Sequence, residues 1–140
     1  MQVEGYLFFE GRCEEALQYY QRLLGAEIEM MSRYSDSPEP PREGMIPPGA
    51  ENKVMHARFR IGDTAVMASD GMCSGQPKFG GFALSLHLTD VAEAERIFAA
   101  LAEGGTVQMP LAETFWAPRF GMLADRFGVP WMVNVAHKQA

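Results

Sequence analysis

Residues 3–30, VEGYLFFEGRCEEALQYYQRLLGAEIEM, predict a strand, a helix that ends at a glycine, and a second strand. Residues 82–109, FALSLHLTDVAEAERIFAALAEGGTVQM, predict the same order of elements. Each stretch is followed by two more strands that a short turn joins, within 54–69 and 120–135. The chain therefore repeats one β-α-β-β-β module. This duplication limits the fold class and the function more than any single residue does.

The duplicated module predicts an α+β protein with a single domain at 1–140. Module one covers 1–70 and module two covers 82–137, while the glycine-rich segment 70–81 is expected to join them. Two such modules are expected to form a curved, barrel-like mixed sheet around a central cup. A chain of 140 residues is long enough to bury a real hydrophobic core.

The composition excludes several classes of protein. A net charge of -6 and only 12 scattered Lys and Arg residues do not provide the clustered basic surface that nucleic acid requires. The N-terminus lacks a basic stretch followed by an apolar one, and no apolar run approaches the roughly 20 residues that cross a bilayer. The two cysteines, Cys13 and Cys73, predict reduced thiols packed in the protein. We therefore expect a cytoplasmic protein that contacts neither nucleic acid nor membrane.

A proline-rich loop interrupts module one at 34–53. Five prolines and two glycines prevent this segment from pairing within a sheet. Its length of about 20 residues exceeds the usual 4–6 of connections in compact domains. We interpret it as a mobile surface loop, a lid over a site, or an arm of a dimer, and the sequence does not decide among these.

Strand alternation predicts which side chains line the cup. Along strand 54–61, His56, Arg58 and Arg60 lie on one face and apolar side chains lie on the other. The apolar faces are expected to pack under the two helices, which leaves the polar faces to the cup. The side chains on those faces are Glu4, Tyr6, His56, Arg58, Ser85, His87 and either Met132 or Asn134. A pocket of mixed polarity is the usual place for a small ligand.

Three longer motifs carry a resemblance to a known family. They are YLFFEGRCEEALQYY (6–20), MHARFRIGDTAVMASD (55–70) and GGTVQMPLAETFWAPRFGMLADRFGVPW (104–131). With the duplicated module, they make the chain similar to the vicinal oxygen chelate superfamily, which includes glyoxalase I, bleomycin-resistance proteins and extradiol dioxygenases. Within it the chain resembles the PhnB-like branch, often labelled as a 3-demethylubiquinone-9 3-methyltransferase domain. The resemblance implies a glyoxalase-like fold, a small-molecule ligand and a homodimer.

The resemblance also implies where a metal would be expected. Metal-dependent members of the superfamily place one ligand on each of the first, fourth, fifth and eighth strands. Here Ala83 stands in place of the fifth-strand histidine and Met132 in place of the eighth-strand glutamate. The fourth-strand position falls near Met67 or Ser69, and the first strand offers only Glu4. We therefore expect no metal and no other cofactor. The alternative is a divalent metal held by Glu4, His56 and His87.

Several residues are candidates for the functional site. His56 is the candidate catalytic residue, as a general base or a hydrogen-bond donor, because histidine ordinarily titrates near neutral pH. The competing interpretation is a strand histidine with a purely structural hydrogen bond. Phe115 and Trp116 follow a strand, where either a pocket mouth or a subunit interface would lie. The predicted pocket comprises Glu4, Tyr6, His56, Arg58, Met67, Phe115 and Trp116.

These observations favour a small-molecule-binding protein of the glyoxalase and bleomycin-resistance type. In this hypothesis aromatic side chains stack on the ligand, and His56 and Arg58 hold its polar end. The alternative is a metal-dependent lyase, isomerase or oxygenase that acts on a small metabolite with an unusual ligand set. Methyl transfer is not expected, because no glycine-rich GxGxxG turn follows a predicted strand.

Overall fold

The structure is a computed structural model that describes residues 1–39 and 44–137. The chain forms two compact units, Met1–Lys78 and Phe79–Ala140. The boundary between the units falls inside the segment 70–81, where the sequence predicts a joint. No helix within the described ranges is long and apolar enough to cross a bilayer.

Each unit contains one β-α-β-β-β module, which confirms the predicted repeat and the α+β class. The first unit contains β1 (Tyr6–Phe8), α1 (Cys13–Leu24), β2 (Glu27–Arg33), β3 (Val54–Ile61) and β4 (Thr64–Ser69). The second unit contains β5 (Leu84–Leu88), α2 (Val91–Ala102), β6 (Thr106–Ala112), β7 (Arg119–Ala124) and β8 (Pro130–Val135). Strand β3 has the bounds 54–61 over which the sequence predicts alternation.

The two units use the same sheet topology. The strand order is β1-β4-β3-β2 in the first sheet and β5-β8-β7-β6 in the second. In each sheet the first strand pairs in parallel with the last, β1 with β4 and β5 with β8, and the other pairs are antiparallel. Neither four-stranded sheet closes into a barrel, because both of its outer strands have a strand partner on one side only. The predicted barrel-like sheet is therefore replaced by two open sheets.

Helix α1 owes its position to a buried aspartate from another element. Its N-cap residue, Arg12, makes no side-chain cap hydrogen bond. Instead, Asp70 after β4 accepts hydrogen bonds from the backbone N–H groups of Gly11 at 3.0 Å and Cys13 at 2.7 Å. The second carboxylate oxygen of Asp70 accepts from the N–H of Val54 at 2.7 Å. One carboxylate thus joins the start of α1 to β3, at the helix end where a negative charge is favourable.

In the second unit, aspartates form the helix cap and the turn hydrogen bonds with residues close to them in sequence. The Asp90 carboxylate caps α2 by accepting from the N–H of Ala92 at 3.2 Å. Between β7 and β8, the buried carboxylate of Asp125 accepts from the indole N–H of Trp131 at 2.9 Å. Trp131 is only 1% exposed and belongs to the core.

The proline-rich loop 34–53 begins with a single 3-10 turn, Tyr34–Asp36. The N–H of Tyr34 donates to the carbonyl of Lys53 at 3.1 Å, so the two ends of the loop are joined by a hydrogen bond. Residues 40–43 lie outside the described residues. The three hypotheses for this loop, a mobile surface loop, a lid or a dimer arm, therefore stay predictions.

The two cysteines differ in accessibility, which leads to a first testable prediction. Cys13 is fully buried, and burial together with the nearby Asp70 carboxylate raises the pKa of its thiol. Cys73 is partly exposed, and burial also raises the pKa of its thiol. The thiolate is the reactive form of cysteine. A disulfide reagent should therefore modify only Cys73, and slowly, in the native protein, and should modify both thiols in denaturant. Cys73→Ser should abolish the native reaction. Rapid modification of two thiols in the folded protein would contradict the burial of Cys13.

Candidate functional site

The open face of the first sheet brings most of the predicted pocket residues together. The strand register places four side chains in one row across the sheet: Tyr6, Met67, Arg58 and Met30. The other side of the sheet carries buried side chains such as Ala57, Phe59 and Ala68, and α1 packs there. We call the open side, with Tyr6, Phe8, His56, Arg58 and Met67, the Tyr6 face.

An aromatic cluster with a polar contact occupies the edge of the Tyr6 face. The phenol oxygen of Tyr6 lies 3.1 Å from Nδ1 of His56, and the two rings are stacked with centroids 5.6 Å apart. The ring of Phe8 lies 4.7 Å from that of Tyr6, and Phe8 is 53% exposed. Flat apolar surface and one hydrogen-bonding pair are thus available at the same place.

Arg58 is held by carboxylates rather than presented to a ligand. Its two terminal nitrogens donate to the carboxylate oxygens of Glu4 at 2.8 and 2.9 Å. Its Nε lies 3.6 Å from Glu29. The hydrogen bond from Arg58 lowers the pKa of Glu4, and the hydrogen bond to Glu4 raises the pKa of Arg58, so both groups stay charged. This bidentate pair orients Arg58 and also occupies it.

The corresponding face of the second sheet combines methionines with a few uncharged polar and histidine side chains. Across its strands the register aligns one row of four side chains: Met109, Met122, Met132 and Ser85. Both ring nitrogens of His87 have neighbours, Ser85 Oγ at 3.2 Å and Asn134 Nδ2 at 3.4 Å. Methionine thioethers form an adaptable apolar surface, whereas the Tyr6 face is charged and aromatic.

Phe115 and Trp116, the remaining predicted pocket residues, belong to the second unit. They lie in the connection between β6 and β7, and Phe115 is 94% exposed. The ring of Trp116 packs edge-on against that of Phe120, with centroids 5.4 Å apart. Their role as a pocket mouth or an interface stays a prediction.

The residues present do not fit the metal centre of the superfamily. In the first unit, Tyr6 of β1 is paired with Met67 of β4, and in the second unit Ser85 of β5 is paired with Met132 of β8; none of the four is a carboxylate or an imidazole. The carboxylate oxygens of Glu4 are engaged by Arg58. Across the described ranges, no group of three or more His, Cys, Asp or Glu residues is arranged to hold a metal ion. The alternative ligand set of Glu4, His56 and His87 draws on both units and stays a prediction.

The first unit also contains a polar cleft that the sequence does not predict. It has a volume of about 650 Å³ and lies beside the first turns of α1. Its charged groups already have partners: Arg33 forms a bidentate pair with Glu14, and Lys53 donates to the carbonyl of Gly11 at 2.9 Å. Because Asp70 also occupies N–H groups at the start of α1, little capacity for a ligand remains there. We therefore place the candidate site on the Tyr6 face.

The Tyr6 face contains residues that the sequence-based prediction did not include. Phe8 has the same strand parity as Tyr6, so alternation alone identifies it. Glu29 lies 3.6 Å from Nε of Arg58 at a register shift between Ile28 and Met30, where Met30 and not Glu29 is paired with Arg58. No sequence signal marks such an irregularity.

The topology defines the fold class of the protein. A glyoxalase/bleomycin resistance protein/dioxygenase domain from Frankia sp. EAN1pec superimposes with a TM-score of 0.64 over 97% of this chain and 95% of its own, at 12% identity. At that identity the likeness concerns the fold alone. The chain thus has the glyoxalase fold.

A family profile and relatives of higher sequence identity identify the family of this chain. The sequence profile of the family described as 3-demethylubiquinone-9 3-methyltransferase matches residues 2–134. Protein YjdN of Escherichia coli K12 is 42% identical, over 99% of this chain and 98% of its own. The crystal structure of PA1353 from Pseudomonas aeruginosa is 46% identical, with a TM-score of 0.83 over 99% of both chains. A PhnB protein from Bacillus cereus is 30% identical, with a TM-score of 0.80 over 97% of this chain and 100% of its own. The chain belongs to this family, in its PhnB branch.

Proposed function

We propose that the protein binds a small molecule on the Tyr6 face, without a metal ion. The observation that carries this proposal is the contact between Tyr6 and His56 inside a partly exposed aromatic cluster. The rings of Tyr6 and Phe8 offer stacking surface, and Met67 and the 43%-exposed Met30 add a polarizable apolar lining. The phenol and imidazole can donate to, or accept from, a polar group of the ligand.

The geometry changes the role of Arg58 in this hypothesis. The sequence-based hypothesis has both His56 and Arg58 hold the polar end of the ligand. Since Glu4 engages the guanidinium of Arg58, we propose that the polar contact is made by Tyr6 and His56. Arg58 then acts as a positioning residue that holds Glu4 beside the site. Action of His56 as a general base stays a prediction.

The name of the family does not alter this proposal. Transfer of a methyl group from S-adenosylmethionine normally uses a glycine-rich turn between a strand and a helix. The turns that follow β1 and β5 have the sequences FEGR and TD, and neither matches that pattern. The chemistry on the Tyr6 face supports recognition of a ligand instead.

A thermal-shift screen tests the proposal. The panel contains small aromatic alcohols, amines and carboxylates, together with zinc, nickel and manganese salts. A ligand at about 100 times its Kd stabilises the fold by about 2.7 kcal/mol, which a melting curve detects. We expect aromatic compounds to raise Tm, and Tyr6→Phe and His56→Ala to weaken their binding by roughly fivefold through the loss of one hydrogen bond.

The matched control is His137→Ala, because His137 is an exposed histidine outside both sheets. This variant should respond to the compounds as the wild type does. Unchanged binding in Tyr6→Phe and His56→Ala would contradict the proposal, and so would a panel in which no compound raises Tm. Stoichiometric zinc, nickel or manganese in the purified protein, lost in His56→Ala, would overturn the metal-independent site.

A further inference from the structure

The charges beside the Tyr6 face form a network with an excess of carboxylates. Arg58 contacts Glu4 and Glu29, while Arg60 lies 2.9 Å from Glu27 and 4.0 Å from Glu29. Three carboxylates therefore surround two guanidinium groups. The network carries one unbalanced negative charge.

The excess negative charge of this network opposes the binding of an anionic ligand. Arg58 is the charged side chain in the same row as Tyr6, and both of its terminal nitrogens already donate to Glu4. To bind Arg58, a carboxylate or phosphonate group would have to displace Glu4. The displaced carboxylate would then remain beside the ligand as a like charge, which opposes binding.

A neutral or cationic aromatic ligand is not repelled by these carboxylates. The exposed ring of Phe8 and the partly exposed ring of Tyr6 can stack on a flat molecule. Aromatic faces also attract a cationic group, and the excess carboxylate adds to that attraction. Tyr6 and His56 are able to donate or accept one hydrogen bond, so they accommodate a hydroxyl or an amine equally well.

We propose that the Tyr6 face selects planar aromatic molecules that carry no negative charge. This inference rests on the proposed function of the same face and specifies the chemistry of its ligand. Glu4 excludes anions by occupying Arg58. The nearby rings hold the ligand.

Three probes with the same ring system test the selection: 2-naphthylmethylamine as a cation, 2-naphthylmethanol as a neutral molecule and 2-naphthoate as an anion. Titration of isotope-labelled protein followed by NMR gives the three Kd values and shows whether Tyr6, Phe8 and His56 respond. We expect the amine and the alcohol to bind roughly tenfold more tightly than the naphthoate, and Phe8→Ala to weaken both. A tenfold change corresponds to about 1.4 kcal/mol.

Two variants test the reason for the selection. Glu4→Gln weakens the hold on Arg58, so we expect naphthoate to bind roughly tenfold more tightly to this variant. Glu95→Gln is the matched control, because Glu95 is an exposed carboxylate in the second unit, 3.5 Å from Arg119. It removes the same charge and should leave all three Kd values unchanged. A melting curve for each variant confirms that the fold is retained.

The outcomes separate the two proposals. If none of the three probes binds the wild-type protein at the Tyr6 face, the proposed function fails and this inference fails with it. If naphthoate binds as tightly as the amine and the alcohol, the proposed function stands and the charge selection is overturned. An unchanged affinity of Glu4→Gln for naphthoate likewise overturns the assigned role of Glu4.

Discussion

Asp70→Ala is expected to lower the free energy of unfolding by about 4 kcal/mol. The carboxylate of Asp70 is 1% exposed and accepts three backbone hydrogen bonds, from Gly11, Cys13 and Val54. A hydrogen bond to a charged group contributes roughly 1.5–3 kcal/mol, and the loss of this acceptor leaves three N–H groups without their partner. Chemical denaturation monitored by circular dichroism measures the change. Asp70→Asn should lose less, because its amide oxygen can still accept.

The control for this prediction is Asp90→Ala in the second unit. The Asp90 side chain makes one exposed cap hydrogen bond, and loss of such a cap typically costs about 1 kcal/mol. Both variants remove one aspartate that accepts hydrogen bonds at the start of a helix, so their difference reports the burial of Asp70 and its additional hydrogen bonds, including the one to β3. Equal losses in the two variants would show that the hydrogen bonds of Asp70 do not join the elements as described.

Gly105→Ala is expected to destabilise the second unit by about 3 kcal/mol. A methyl group on Gly105 would overlap the carbonyl oxygen of Ala124 and would lie 2.9 Å from the carbonyl carbon of Asp125. Both contacts are with backbone, so no side-chain rotation can relieve them. Overpacking of this kind costs roughly 1–3 kcal/mol and sometimes more. Thermal or chemical denaturation of the purified variant provides the measurement.

Gly80→Ala serves as the control, because a methyl group there meets no atom within 4 Å and the backbone is not left-handed. This substitution should change the stability by less than about 0.5 kcal/mol. Gly121→Ala offers an independent check, since its methyl group would lie 2.7 Å from the ring of Phe98. If Gly105→Ala were as stable as Gly80→Ala, the close approach of the chain to β7 would be wrong.

Local patterns predict most elements of this fold. The hairpin of β3 and β4 follows from strict alternation around Gly62-Asp63, and α1 follows from helical spacing and the left-handed Gly25 with a φ of 67°. The first strand is shorter than predicted. Its aromatic residues favour a strand over 3–9, but β1 pairs with β4 only over Tyr6–Phe8. Pairing depends on a partner 61 positions away along the chain, and local composition does not report where it stops.

The sequence likewise predicts some features of the candidate site and not others. Alternation predicts that His56 and Arg58 share a face, and the structure places them together with Tyr6. It does not predict that Glu4 occupies Arg58, since this contact joins residues 54 positions apart in sequence. The role of Asp70 is hidden for a similar reason. In the sequence it appears as the start of a glycine-rich linker, and only the tertiary fold brings it to α1.

The remote cap of α1 has a consequence for how the protein acquires its structure. Asp90 caps α2 across two residues, so that helix end can be completed within a short stretch of chain. Asp70 reaches Cys13 across 57 residues, which means that a long loop must close before the first turn of α1 gains its anion. During synthesis, Asp70 is also made after the whole of α1 and β3. The first turn of α1 therefore remains uncapped until most of its module has left the ribosome.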